Sequence, residues 1–527
     1  MSESNGNATP HAADGNGNGG ADGGYPAWMW DLGRLISDPG YGRWREMVAA
    51  IGGCQHPVHL SGASLVVHTG TGEVVGEYTT SEEPGGVLLM ACGNRRESVC
   101  APCARIYQAD TYQLIKAGLS GGKGLPEEVS GHPRVFVTLT APSFGAVHTR
   151  REVAGRLVAC RGYRAGRVCA HGRPLGCGLV HEVGDERLGQ PLCGECYDYA
   201  GAVLWQAHAG VLWQRFMVAL RRELASQAGM AQREYATWAR VSFAKVAEYQ
   251  RRGLVHFHAV IRLDGPDGPH EPPPDGFDAG MLMRAVPAAA ARVEVMTPDS
   301  EVGRWRLAWG DQLDVRPILL GADLEGVSEE GVAAYIAKYA IKGSDGTAGV
   351  DHRIACRRCN GSGRALSVSR ARCARCRGTG LKPGLLLDEL PVTDHARAMI
   401  RMCWELGARE EFAHLRLRLW AHMLGFRGHF STKSRRYAVT LGELREARAR
   451  YRRQQARERD GLPALDEDST VVVGHWRFAG VGYSLGEAIM AEQIRERVET
   501  ARAIARKKEQ RTNPDDADAG AGESAGE

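Results

Sequence analysis

The sequence predicts an α/β or α+β fold built around an antiparallel sheet. Arg134–Ala141 (RVFVTLTA), Trp238–Ala247 (WARVSFAKVA), Leu254–Leu263 (LVHFHAVIRL) and Gln312–Leu319 (QLDVRPIL) are β-branched and aromatic runs of strand length. Gln250–Gly253, between the second and third runs, suits a tight hairpin turn that pairs them. Ala200–Leu224 repeats apolar residues at helical spacing, with Leu204, His208, Leu212 and Phe216 near one face, and Val332–Lys342 also has helical character. Strands interleaved with helices give this fold class.

A chain of 527 residues, 43% hydrophobic and 24% charged, has room for two to four domains and a sizeable core. No run of 18 apolar residues appears, so no membrane partner or spanning helix is expected. The N-terminus lacks a basic-then-apolar leader pattern, so a cytoplasmic location is expected. Residues 1–24 (rich in Gly, Asn and Ala) and the acidic, small-residue tail at 506–527 read as disordered. Asp264–Gly280 is a Pro/Gly/Asp loop, and no repeat of solenoid period occurs.

Two neighbouring motifs carry the chemistry. In a strand, residues two apart share a face, so His256 and His258 present two imidazoles while Phe257 turns to the opposite core. Two imidazoles and a carboxylate make a divalent-ion site with positions left open. Folding the hairpin returns Glu248 beside His256, which makes Glu248 the expected third ligand and Asp314 the reserve. An H-x-H pair by itself is weak evidence, because such pairs occur on sheet faces without function.

The second motif is Tyr335-Ile-Ala-Lys-Tyr339-Ala-Ile-Lys342. On a helix, residues four apart stack on one face about 6 Å apart. The phenols of Tyr335 and Tyr339 then face the same way, with Lys338 and Lys342 as a second pair beside them. Cutting a phosphodiester while keeping its energy requires a covalent intermediate. Tyrosine attack on phosphorus gives a phosphotyrosine and a free 3′-hydroxyl, and a nearby lysine would favour the phenolate or hold the phosphate. A metal would polarise the scissile phosphate. Two tyrosines let one hold the 5′ end while the other attacks the next junction. A lone Y-x-x-x-Y is more often an amphipathic helix packed on a sheet; the ordered combination with the H-x-H strand is what gives it weight.

The motifs occur in the order Phe136–Gly145 (FVTLTAPSFG), His256–Val260 (HFHAV), Tyr335–Lys342 (YIAKYAIK). This pattern resembles the HUH endonuclease superfamily and its rolling-circle replication initiators. The two-tyrosine form looks like the initiators of small single-stranded-DNA phages and related plasmids. The stretches Cys92–Cys103 (CGNRRESVCAPC), Pro191–Tyr199 (PLCGECYDY) and Trp420–Tyr437 (WAHMLGFRGHFSTKSRRY) make the chain most similar to initiators of actinobacterial integrative-conjugative elements and plasmids, over roughly residues 50–450. The resemblance implies an α+β fold with a ferredoxin-like catalytic core and central antiparallel sheet. It also implies Mg²⁺ or Mn²⁺ as cofactor, a double-strand origin as substrate, and a nucleophile at Tyr335 or Tyr339. A recruited host helicase is the expected protein partner. The rival readings are a conjugative relaxase or transposase of the same superfamily, and a non-catalytic zinc-rich DNA-binding regulator. Only about 90 residues follow Tyr437, too few for the helicase module of a relaxase.

Twelve of the fourteen cysteines fall in clusters, which in a reducing compartment argues for zinc rather than disulfides. Cys356-x-x-Cys359 and Cys373-x-x-Cys376, thirteen residues apart, are a strong tetrahedral signal and look like the C-x-x-C-x-G-x-G zinc elements of chaperones. Cys92, Cys100 and Cys103, with Cys54, form a second expected site. In the third cluster Cys169, Cys177, Cys193 and Cys196 are the expected ligands, with His171 or His181 able to replace one. Two or three structural zinc ions are expected in all.

From Arg427 to Arg459 eleven Lys/Arg face three Asp/Glu, a balance that suits a polyanion or a solvated helix laced with ion pairs. Arg427, Lys433, Arg435 and Arg436 are the expected phosphate contacts, interleaved with aromatics able to stack on unpaired bases. The expected organisation is an N-terminal zinc-bearing region at 25–130, a nickase core at 131–345 with an inserted cluster at 160–196, a zinc insert at 346–382, and a helical basic DNA-binding region at 383–505.

Overall fold

The computed structural model describes residues 26–161, 167–319, 327–342, 349–350, 352–365, 371–459, 461 and 469–512. The expected N-terminal tail at 1–24 and residues 513–527 of the expected acidic tail lie outside this set.

The chain is mixed α+β with several sheets. The central sheet has six strands: β4 (Arg134–Leu139), β7 (Arg240–Tyr249), β8 (Val255–Asp264), β11 (Leu313–Leu319), β12 (Val327–Ser328) and β13 (Ser431–Lys433). Their order is β12-β11-β4-β8-β7-β13, antiparallel except for the short β11–β12 pair. All four strand expectations fall on this sheet within two residues of their ends. The β7–β8 hairpin closes through Gln250, whose N–H reaches Leu254 O at 2.8 Å, and Gly253 occupies the left-handed region (φ 72°) that the turn demands.

Each sheet face carries its own core. On one face Val137, Phe257, Ile261 and Leu263 pack against α4 (Tyr199–Gln227), α6 (Ala279–Ala291) and α8 (Asp394–Leu406). On the other, Ala244, Val246, Val260 and Ile318 pack against α3 (Ala101–Ser120) and α7 (Glu329–Ala340). Short elements decorate this layer: α5 (Gln232–Trp238), α9 (Leu417–Trp420) and the hairpins β5 (Arg151–Val153) with β6 (Arg156–Val158) and β9 (Glu294–Met296) with β10 (Arg306–Ala308).

A second sheet joins β1 (Val58–His68), β2 (Val74–Thr79) and β3 (Leu88–Met90) to β14 (Thr470–Val481). Beside it α1 (Ala27–Ser37) and α2 (Tyr41–Ala50) pack on α11 (Leu485–Thr512), burying Trp44, Val48, Ala491 and Ile494. The expected helical region at 383–505 is therefore divided. α8 enters the central core, β13 extends the central sheet, α10 (Leu441–Arg459) lies against α3, and β14 with α11 completes the N-terminal unit. The β-branched run TVVVGHWRFAGV makes Thr470–Val481 a strand despite its basic flanks. Helix also continues to Thr512, into the expected tail, because Ala, Arg, Lys and Glu favour it until Pro514. The Pro-rich run is a loop in its middle; Asp264 ends β8, and Ala279 and Gly280 begin α6 behind the Asp278 cap. Among the described residues no helix is long and apolar enough to cross a membrane.

Candidate active site and metal clusters

Glu248 stands directly opposite His256 in the β7–β8 register, and His258 is two residues further along the same face. The Glu248 carboxylate Oε2 lies 2.9 Å from His256 Nε2 and 3.2 Å from His258 Nε2, and the two ring nitrogens are 3.2 Å apart. Ligand atoms about 2.1 Å from a shared ion at right angles would stand about 3.0 Å apart, so the trio matches one face of an octahedron. Burial lowers the His258 pKa to about 4, keeping its ring neutral and able to donate a lone pair. Burial pushes the Glu248 carboxyl up, but hydrogen bonds from His256 and His258 outweigh it and leave it below its ordinary value. Thr138 Oγ1 lies 3.1 Å from His258 Nδ1, which orients the ring so that Nε2 points to the shared centre. Asp314 shares this sheet face through its pairing with Thr138, but it is exposed, bonded to Arg316 at 2.8 Å, and outside the ligand group.

Helix α7 begins at the Ser328 cap, carries Glu329 and Glu330 in its first turn and Lys338 in its last, as the helix dipole favours. Buried Glu329 pairs with buried Arg134 of β4, and Arg95 donates to Ala340 O at 2.9 Å and Lys342 O at 3.3 Å at the other end. The helix thus lies fixed over the Glu248–His256–His258 trio. Tyr335 Oη is 3.3 Å from His258 Nε2, and the Tyr335 and Tyr339 rings are 4.6 Å apart. Tyr335 is half-buried; Tyr339 is buried and stacks on His258. Lys342 Nζ sits 4.4 Å from the Tyr339 ring centre and 3.9 Å from Glu248 Oε1, whereas Lys338 Nζ is 5.9 Å from that ring.

Both tyrosines and the Glu248–His256–His258 trio line one cleft of about 2470 Å³. Arg150, Arg161, Arg251, Arg252, Arg316 and Lys342 line it too, interspersed with the carboxylates of Glu97, Asp185, Glu186, Asp311 and Asp314.

Among the described residues the Cys-rich groups are four, where two or three zinc ions were expected. Cys54, Cys92, Cys100 and Cys103 converge, as do Cys356, Cys359, Cys373 and Cys376. Their sulfurs stand 3.6 Å (Cys92–Cys103), 3.9 Å (Cys54–Cys100) and 3.7 Å (Cys359–Cys376) apart. Zn–S bonds of about 2.3 Å at tetrahedral angles would place sulfurs about 3.8 Å apart. Backbone N–H groups of Gly363 and Gly380 donate to Cys359 and Cys376, the knuckle pattern that the glycine-bearing motif permits. The expected third set is corrected: His171, not Cys177, joins Cys169, Cys193 and Cys196, and Cys177 lies with His148, Cys160 and His181. Neighbouring ligands in this stretch fold toward different centres, so sequence proximity misassigned Cys177. His148, twelve residues before Cys160, carried no pattern of its own. Cys403 is buried in the core and belongs to none of these groups.

The basic C-terminal motif differs from expectation in one respect. Phe426, Phe430 and Tyr437 are core residues and cannot stack on bases, because β13 draws this segment into the central sheet. Lys433 Nζ donates to Ala438 O at 2.6 Å, and burial pulls its pKa below the usual value. Arg436 donates to Pro266 O at 3.0 Å, while Arg427 and Arg435 are exposed.

The family model described as "Replication initiator protein, pSAM2" matches residues 40–496. A replication initiator protein of Streptomyces ambofaciens is 43% identical over 486 residues, covering 91% of this chain and 95% of that protein. No solved structure matches. The matched span takes in the Glu248–His256–His258 trio, the tyrosine helix and the four Cys-rich groups of the described residues, and the chain belongs to the pSAM2 replication initiator family.

Proposed function

We propose that this initiator is an HUH endonuclease with a ferredoxin-like core, which nicks a double-strand origin through a 5′-phosphotyrosine to start and finish rolling-circle replication. The observation that carries this reading is the Tyr335 hydroxyl 3.3 Å from a ring nitrogen of the Glu248–His256–His258 trio. Glu248, His256 and His258 would hold Mg²⁺ or Mn²⁺. Such an ion polarises the scissile phosphate and offsets charge that develops on it.

The chain's own residues supply the rest. Half-buried Tyr335 faces the cleft and is the first nucleophile. Its oxygen bonds to phosphorus, the bond to the 3′ oxygen breaks, and the proton lost by the phenol is balanced by the one gained by the released 3′-hydroxyl. Tyr339, one turn on, attacks the regenerated junction. Lys342 favours its phenolate by charge, and Lys338 holds an adjacent phosphate. Arg150, Arg161, Arg251 and Arg316 guide the single strand along the cleft, with Arg427, Lys433, Arg435 and Arg436 gripping flanking origin DNA. The Cys-rich groups hold structural zinc. Membership of an initiator family favours replication over the relaxase and transposase readings.

The test is cleavage of a single-stranded origin oligonucleotide by the purified full chain with Mn²⁺, then with a chelator. Metal-dependent nicking with protein left on the 5′ end is expected; sequence-specific binding with no nick would favour the non-catalytic regulator.

A further inference from the structure

Between β4 and α4 eight ligand residues form two sets that alternate along the chain. The pair His148 and Cys160 converges with Cys177 and His181, while the intervening pair Cys169 and His171 converges with Cys193 and Cys196. First meets third and second meets fourth, so the two loops cross-brace each other. We propose that this segment binds two zinc ions. The inner one, held by His148, Cys160, Cys177 and His181, fastens the wall of the cleft to the β7–β8 turn.

The inner set has the marks of a closed tetrahedral site. His181 Nε2 lies 3.1 Å from His148 Nδ1 and 3.5 Å from Cys177 Sγ. Zn–N and Zn–S bonds of about 2.1 and 2.3 Å give edges of roughly 3.4–3.6 Å. The other nitrogen of His181 donates to Asp185 Oδ2 at 2.7 Å, and Arg187 holds that carboxylate in turn. A carboxylate behind a histidine fixes its tautomer and aims the free lone pair at a metal. Two thiolates and two neutral imidazoles neutralise Zn²⁺, which suits a set whose Cys160, Cys177 and His181 are buried. The outer set carries three thiolates and one net negative charge, and there His171 and Cys196 are exposed. His171 Nδ1 lies 3.3 Å from Cys196 Sγ and 3.7 Å from Cys193 Sγ.

The inner site reaches the tyrosine site through backbone. His148 pairs with the turn between His181 and Cys193: its N–H donates to Gln190 O, and Gly189 N–H donates to His148 O, both at 2.9 Å. Gly189 has φ 83° and lies so close to the hairpin turn that a Cβ there would stand 2.4 Å from the Arg251 carbonyl. Arg252 of the same turn donates to Ala141 O and Pro142 O at 2.7 and 2.8 Å, tying the turn to the end of β4. That turn joins Glu248 to His256. The inner ion thereby braces the hairpin that sets the spacing of the catalytic ligands.

The test counts zinc in the full chain by native mass spectrometry, in a Glu248→Ala, His256→Ala background that removes the third class of metal site. Four ions per chain are expected; three or fewer overturn the proposal. The second arm is Asp185→Asn, which leaves all eight ligands in place. It should weaken one of the four ions roughly ten- to hundredfold in competition with a chromophoric chelator. It should also speed amide exchange at 250–253. Unchanged zinc affinity and unchanged exchange would overturn the proposed brace. Neither readout depends on nicking, so the result stands apart from the nuclease reading.

Discussion

Glu248 and His256 face each other across the β7–β8 hairpin with 2.9 Å between carboxylate oxygen and ring nitrogen, and only the five residues Gln250–Leu254 separate their strands. The β7–β8 register brings this pair together. His256→Ala or Glu248→Ala should lower origin cleavage by about two orders of magnitude or more, and weaken Mn²⁺ binding measured by calorimetry. Cleavage at the wild-type rate in either variant would remove the metal assignment.

Tyr335 and Tyr339 differ in exposure, and the proposed mechanism gives them separate roles. Tyr335→Phe should abolish the first covalent adduct. Tyr339→Phe should leave the first cleavage intact and stop strand joining in a two-oligonucleotide transfer assay. The opposite pattern would exchange the two roles.

The tyrosine helix is anchored by the buried Arg134–Glu329 pair. Removing one partner of such a pair leaves an uncompensated buried charge, so Glu329→Ala should cost about 3–5 kcal/mol in urea denaturation. Adding Arg134→Met should recover part of that loss. A change below about 1 kcal/mol in the single variant would contradict the anchoring role.

Lys245 lies on the apolar side of the sheet, its Nζ 4.0 Å from the Phe257 ring centre, and burial lowers its pKa from 10.5 to about 7. Between pH 7 and 10.5 the unfolded chain binds this proton and the folded chain does not, so stability rises with pH across that window and is flat below it. Lys245→Met should stabilise the protein at pH 7 by roughly 2–4 kcal/mol and reduce the difference in urea midpoint between pH 7 and pH 9.5. An equal pH dependence in both proteins would show that Lys245 is not the group responsible.

Much of the site was legible in the sequence because its parts obey short periodicities. Two residues per strand repeat set His256 with His258, and a hairpin of known turn set Glu248 beside them. Four residues per helical step set Tyr335 over Tyr339. The parts that were not legible depend on distant chain segments. Arg95 reaches the end of α7 from the N-terminal Cys-rich region, and Arg134 reaches its start from β4. Cys177 was misassigned because crossed loops defeat reading by proximity. Phe426, Phe430 and Tyr437 looked like a base-stacking motif because aromatic and basic residues alternate there; only the β13–β7 pairing shows that the sheet claims them.

Mass mapping of the protein–oligonucleotide adduct tests the central claim most directly. Trypsin cuts after Lys338 and so separates the two tyrosines. A cleaved origin strand joined through its 5′ phosphate to the peptide containing Tyr335 is the result this account predicts. An adduct on a peptide lacking both Tyr335 and Tyr339, or nicking with no adduct at all, would contradict it.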